Sequence, residues 1–500
     1  MGFFPFQGTI TETDKLNTII EEGAKKGITF KKRIEKEIAE FKVSEKRNWM
    51  FQGDNYFEGK HDILTRKRMV IGKDGEQEEA TNLPNNLRVD NQYGKLVNQK
   101  VNYLFAKPLT LETESEVYQK ALKLVLNNRF HKTLRNLGEH AFNHGLAWIY
   151  PYYNERSEFS FMLIPAYQVL PFWKDIERTV LDYAVRIYPV VEWKGDKKEI
   201  IEKVEIYTVD GIERYILDND HLIPDVELGE ITTYLNVKKG DQSEGRNWER
   251  VPLIPFRYNS REIPLIKSVK SLQDGINEIL SDFNNNMQED ARSTILVIHN
   301  YDGQDLGEFR YNLAKFGAVK VRSDGVKGGI DTLSVEVNKD NYESILTLFK
   351  KALVENGKGY DSKDDRMSNN PNQMNIQSMY LDIDLDANGI ETEFQASFEE
   401  LLWFVNKHLE HVGKGNFDNE TVKVIFNRDI LINESEVIDS LSKSTDLSLE
   451  TRIAQHPYVS DVQLELERIK KERKERMNEF DNYDTTFQQK QGDMNGQANT

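Results

Sequence analysis

The rhythm of apolar positions changes along this chain and divides it into helical and strand-bearing stretches. Residues 1–60 read as charged helix, with FKKRIEKEIAEFKVSEK the clearest piece. In DNQYGKLVNQKVNYLFAKP at 90–108, Tyr93, Val97, Val101, Leu104 and Phe105 fall on one face. Asp90 is placed to cap that helix and Pro108 to close it. Residues 115–145 continue in helical period. From about 146 to 258 the pattern becomes that of strands: LAWIYPYY, FSFMLI, DYAVRIYPVVEW, KVEIYTV, RYIL and ITTYLNV, separated by turn-forming clusters. Helical spacing returns with Ile263, Ile266, Val269, Leu272, Ile276, Ile279, Phe283 and Met287, predicting a long helix over 264–290 with Pro264 in its first turn. TILVIHN and GAVKVRS then read as strands around the turn DGVKGG. DNYESILTLFKKALVENGKG reads as a second helix, started by Asp340 and Glu343 at capping-box spacing and stopped by Gly357.

DSKDDRMSNNPNQMN follows, almost wholly polar, with the composition of a loop. Beyond it the apolar residues Ile376, Met379, Ile383, Ala387, Ile390, Phe394, Phe398, Leu401, Val405 and Leu409 step by three or four without interruption. This predicts a continuous helix of about 35 residues, on the order of 50 Å long. Within it, Asp382, Asp384, Asp386 and Glu393 imitate the first, third, fifth and twelfth places of a calcium loop. The unbroken helical register, and Ala387 where such a loop needs glycine, argue against that use. Asp382 and Asp386 are then expected four apart on the solvated face. TVKVIFNRDIL reads as a strand. LSLETRIAQHPYVSDVQLELERIKKERKERMNEF reads as helix broken near Pro457, and the last 20 residues have the composition of a disordered tail. The fold class is α+β.

Composition narrows the chemistry. With 500 residues there is room for about three domains. Acids exceed bases by 83 to 66, a net charge of −17, whereas a protein that coats DNA needs a basic contact face. The absence of cysteine removes disulfides, thiolate metal sites and cysteine nucleophiles. No apolar run approaches membrane-spanning length, and the N-terminus lacks the pattern of a secretory signal, so a soluble protein made in a cytoplasm is expected.

Catalytic patterns are sparse. There is no P-loop, no G-x-S-x-G and no H-E-x-x-H. His140 and His144 lie four apart on a helix, but Glu139 precedes the first histidine, where a zincin glutamate would follow it. The KKERKER run at 470–476 could touch nucleic acid, although alternating charge on a helix is the usual mark of a solvated face.

The order of parts resembles the portal proteins of tailed bacteriophages, specifically the siphophage portal family. The resemblance rests on LRVDNQYGKLVNQKVNYLFAKPLTLE at 87–112, VPLIPFRYNSREIPLIKSVKSLQDGINEILSDFNNNMQEDARSTILVI at 251–298, NIQSMYLDIDLDANGIETEFQASFEELLWFVNKHL at 375–409 and LSLETRIAQHPYVSDVQLELERI at 447–469. It implies a portal-protein fold: a mixed α/β wing over 1–258, stem helices at 259–290 and 338–358 around a strand-bearing clip at 291–337, and a tunnel loop at 359–375. A long spine helix and a return strand to the wing would occupy 376–432, a helical crown 433–480 and the tail 481–500. Such subunits form a ring, typically a dodecamer, at one capsid vertex, through which double-stranded DNA is packaged and ejected without sequence specificity. The implied partners are the terminase large subunit, a head-completion adaptor, and the major capsid and scaffolding proteins. The implied location is the virion, and the host cytoplasm during assembly, with no cofactor and no enzymatic role.

Under this resemblance Lys363, Arg366, Ser368, Asn369, Asn370, Asn372, Gln373 and Asn375 would face the DNA. Most are short neutral hydrogen-bonders, able to touch phosphates without holding them. Asp382 and Asp386 would be channel-side acids that keep the duplex central. Two other readings stay open from the residues alone: a metal-dependent DNA-processing enzyme using acids around 361–393, and a helical scaffold without a channel.

Overall fold

The computed structural model describes residues 29–71, 76–81, 83–226, 229, 231–239, 242–290, 295–299, 329–333, 339–361, 373–428, 434–444, 446–459, 462 and 464–476. By internal contacts the chain forms two compact units. The larger comprises Met1–Gly359 and Asp382–Asp429, and the smaller Tyr360–Leu381 and Ile430–Thr500.

The larger unit opens with α1 (Phe30–Val43) and α2 (Glu45–Phe57). Ser44 separates them: its extended backbone ends α1, and its hydroxyl accepts from Arg47 N to begin α2. A small hairpin, β1 (Met69–Ile71) and β2 (Gln77–Glu79), precedes α3 (Gln92–Phe105). The cap of α3 is Asn91, which accepts from Gly94 N at 2.7 Å. It is not Asp90, whose carboxylate pairs with Lys350 at 2.7 Å. The expected apolar face of α3 is buried throughout. After β3 (Thr110–Glu112), the helical stretch at 115–145 forms two helices, α4 (Glu116–Val125) and α5 (Asn128–His144). The break falls at Asn127, whose side chain caps α5 through Arg129 N and Phe130 N.

Two sheets follow. The strands β4 (Leu146–Tyr153), β5 (Phe159–Ile164), β6 (Val169–Trp173), β7 (Leu181–Lys194), β8 (Lys197–Thr208), β9 (Gly211–Asp218), β10 (His221–Pro224), β11 (Ile231–Thr232), β12 (Leu235–Lys239), β13 (Gln242–Arg246) and β14 (Ile254–Arg257) are antiparallel throughout. One sheet runs β10-β9-β8-β7-β6 with β11 on β9, the other β14-β4-β5, and β12 pairs β13. Trp148, Ile164, Ala184 and Leu253 form a core without solvent exposure between the sheets. Ile34 and Ile38 of α1 pack on the other face of the larger sheet, against Val185 and Val204. Hydrophobic burial on both faces holds this region together.

The helix α6 (Ile266–Asp290) starts two residues after Pro264, so the proline precedes the first turn. β15 (Ile295–His299) pairs with β16 (Gly329–Leu333), and α7 (Lys339–Asn356) follows. Residues 317–323, expected as a strand, lie outside the described residues. Helices α6 and α7 pack antiparallel: Asn286 donates to Tyr342 OH at 2.8 Å, and a Cβ on Gly275 would stand 2.6 Å from the Phe349 ring.

The longest element is α8 (Gln373–His411), of 39 residues. Phe394, Phe398 and Phe404 on it are fully buried, and Phe394 meets Phe105 and Phe256 edge-on or tilted at ring separations of 5.5 and 5.1 Å. β17 (Lys423–Ile425) returns from α8 to pair antiparallel with β3, shorter than the expected strand. In the smaller unit, α9 (Glu434–Lys443) and α10 (Leu449–Ala454) precede a helical stretch at 464–476, with a turn around Pro457. The 470–476 run is exposed, Lys471 pairing with Glu475 on the same helix at 4.0 Å.

Candidate functional site

The helical period carries α8 straight through the calcium-like acids, and three of them meet three different environments. Asp382 is exposed. Asp384 accepts from Tyr103 OH at 2.8 Å and pairs with Arg428, which also holds Glu391 at 3.0 Å. Asp386, expected on the solvated face beside Asp382, is buried. It accepts from Lys100 Nζ at 2.7 Å, Lys358 Nζ at 2.9 Å and Tyr258 OH at 3.1 Å. Asp386 therefore cannot serve as a channel-side acid: its oxygens are used inside the subunit, and four residues of helix turn it about 40° from Asp382 toward α3. Burial alone would raise the Asp386 carboxyl, but the two ammonium groups outweigh it and hold it below its ordinary value. Lys100, 2% exposed, is itself lowered by burial, against the pull of Asp386. The arrangement ties α3, the end of α7 and α8 together where α7 stops.

A second anchor sits ahead of α6. Glu262, at a positive φ of 56°, is only 2% exposed. Its carboxylate pairs with Lys46 of α2, with Arg257 Nε of β14 at 3.0 Å and with Arg178 Nη1 at 3.3 Å. Burial opposes its charge, yet Lys46, Arg257 and Arg178 together hold its pKa down at about 2.

The helix α6 is also tied along its length. Gln273, Asn277, Ser281 and Asn285, each four residues apart, are buried. They accept from the backbone N–H groups of Tyr93, Asp90, Arg88 and Asn86 at 2.9, 2.9, 2.9 and 2.7 Å. From Asp90 to Asn86 the spacings match: four helical residues rise about 6 Å, and two extended residues span about 6.6 Å. Asn277 further donates to His61 Nδ1 at 2.7 Å, and His61 Nε2 lies 3.0 Å from Tyr56 O. The carbonyl can only accept, so the ring is the neutral Nε2–H tautomer.

On α8, Glu400 lines a recess beside Arg250, whose guanidinium stacks 4.7 Å from the Trp403 ring centre. Burial raises its carboxyl to about 7 despite the opposing charges of Arg250 and Arg257. On α5, His144 Nε2 is 2.7 Å from Asp54 Oδ1, and its ring meets His140 edge-on. Among the described residues, no group of three or more potential ligands is positioned to hold a metal ion. Among them too, no helix is long and apolar enough to cross a membrane.

Of the expected DNA-facing residues, Lys363, Arg366, Ser368, Asn369, Asn370 and Asn372 lie outside the described residues. Gln373 and Asn375 belong to the first turn of α8 instead of a loop, because the helix begins two residues after Pro371; Asn375 is exposed. Glu262 and the polar stripe of α6 were not singled out from the sequence. The stripe's four-residue spacing was the available signal, but polar residues on a helix ordinarily mean a solvated face.

The family described as "Phage portal protein, SPP1 Gp6-like" matches residues 42–479, a span that contains all four blocks of resemblance. The chain belongs to this phage portal protein family. It is 28% identical over 468 residues to the portal protein of Bacillus phage SPP1, covering 92% of this chain and 90% of that one. To the portal protein of Clostridium phage phiCD119 it is 25% identical over 432 residues, covering 84% and 91%. A solved structure titled "Neck of native GTA particle computed with C12 symmetry" aligns with 72% of this chain and 89% of its own, at 10% identity and a TM-score of 0.35, too distant a likeness to argue from. Portal-family membership makes this a structural and not an enzymatic protein, and it supports a multimeric ring at the capsid vertex of a virion.

Proposed function

We propose that this portal protein works as one subunit of a closed ring whose bore conducts double-stranded DNA during packaging and ejection, and on which the terminase large subunit and a head-completion adaptor dock in turn. The family match across residues 42–479 carries this reading. In it, residues 1–258 are the wing, α6 and α7 the stem, 291–337 the clip, α8 the spine, and 433–480 the crown. The ties along α6 suit such a role, since a stem that transmits load between a motor and a capsid must not slide against its wing. The tunnel loop is assigned to 359–372, with Lys363, Arg366, Ser368, Asn369, Asn370 and Asn372 passing along the phosphates, and Gln373 and Asn375 at its helical end. Asp382 remains the channel-side acid. Major capsid and scaffolding proteins would meet the wing during assembly in the host cytoplasm.

The test is negative-stain electron microscopy of the purified chain, with native mass on the same sample. Rings with a stain-filled centre and a mass near twelve subunits are expected. Deleting residues 363–372 should leave the ring intact and impair DNA packaging; a deletion that packages normally would refute the loop assignment.

A further inference from the structure

Past Arg186 on β7 and Glu202 on β8, these two strands lose their outer neighbours and continue as a two-stranded ribbon projecting from the sheet. A bare ribbon of two strands is marginal in water and needs a covered face. Its pairing places Val191 opposite Ile200 and Trp193 opposite Lys198 on one face, with Glu192 opposite Glu199 on the other. The first face is apolar and open: Trp193 and Ile200 are each 68% exposed, and Val191 47%. Single exposed apolar residues are ordinary, but three contiguous ones on a projecting arm form a contact patch.

Elsewhere on the same unit, α8 and the β3–β17 pair enclose an open recess of about 660 Å³. Leu402, Val422 and Val424 give it an apolar lining over the fully buried Phe398, and Glu112, Glu114 and Glu399 are its acids. Lys423, the one cation among its lining residues, already stands 4.0 Å from Glu112. The apolar face of the arm, which carries one lysine, Lys198, thus has its counterpart in an acid-bearing apolar recess on a different surface of the same chain.

We infer that the β7–β8 arm of one subunit seats in the recess between α8 and the β3–β17 pair of the next, Trp193 entering over Val422 and Leu402 while Lys198 meets Glu399. The occupant is a second copy of this chain. The contact is heterologous, joining unlike surfaces, which is what a closed ring needs. The inference rests on the ring reading above and specifies where its subunits touch. An aromatic anchor in an apolar pocket ringed by charge is the usual centre of such a contact.

The chain has no cysteine, so introduced thiols can pair only with each other. Lys198→Cys and Glu399→Cys chains, each made singly, mixed and oxidised, should give a covalent dimer. The doubly substituted chain should give a reducible ladder extending well past the dimer. Trp193→Ala should weaken ring assembly at least tenfold while leaving the melting of the dissociated subunit unchanged, because Trp193 is exposed there. If the ring of the unsubstituted chain is seen by microscopy but no cross-link forms, the inference falls and the ring reading stands. A ladder that stops at the dimer, or a cross-link within one chain, also overturns it. If no ring forms under any condition, both fall together.

Discussion

Glu262→Gln tests whether the junction between β14 and α6 is held by a buried charge. The wild-type carboxylate has 1% side-chain exposure and is shared by Lys46, Arg178 and Arg257. Its pKa lies at about 2, against an ordinary value of 4.5. A shift of that size corresponds to roughly 3 kcal/mol of stability, at 1.36 kcal/mol per unit. The folded pKa is depressed, so this contribution is complete above about pH 4.5 and is lost as pH falls toward 2. Glutamine keeps the shape and part of the hydrogen bonding but leaves three cations facing one another without a counter-charge, a loss on the order of 3–5 kcal/mol. Urea unfolding at fixed protein concentration, followed by far-ultraviolet circular dichroism, should therefore place the variant about 3 kcal/mol below wild type at pH 7. The gap should stay constant down to pH 5 and narrow by about 1 kcal/mol per unit below pH 4.5. A gap under 1 kcal/mol at pH 7, or one indifferent to pH between 5 and 3.5, would refute the reasoning.

Further predictions follow from the same structure. Asp386→Asn strands Lys100 in the interior and should cost about 3–5 kcal/mol. Asp382→Asn, on the exposed face, should change stability by no more than about 0.5 kcal/mol; equal effects in thermal melts would contradict the placement of the two acids. Asn277→Ala removes the acceptor of Asp90 N and the donor to His61, and should destabilise by about 2 kcal/mol, with amide exchange accelerating first at residues 86–90. Glu400 has a raised pKa of about 7, so its contribution is complete below about pH 4.5 and is lost as pH rises through 7. Glu400→Gln should accordingly flatten the decline of stability from pH 5 to pH 8, and stabilise the chain at pH 8 by up to about 3 kcal/mol.

What the sequence determined by itself was the part of the fold written in short-range periods. The helices α3, α6, α7 and α8 were legible because apolar residues three and four apart must share a face, whatever packs on that face. The strands β4, β5 and β7 were legible from length and β-branched or aromatic content. β6, β10 and β14 were not recognised in advance: each is only four or five residues long and owes its state to a neighbouring strand. Family membership was legible through four blocks in a fixed order, a global property that survives local ambiguity.

Which polar residues face inward was decided only by the tertiary structure. Asp382 and Asp386 have the same side chain and are one helical turn apart, yet one meets solvent and the other a lysine 286 residues away in the chain. The stripe from Gln273 to Asn285 looks solvated until the backbone of 86–93 is laid along it. Glu262, a buried charge just ahead of α6, sits in an unremarkable loop motif. Burial of a polar group depends on a distant partner able to satisfy it, and neither residue type nor spacing along the chain specifies that partner.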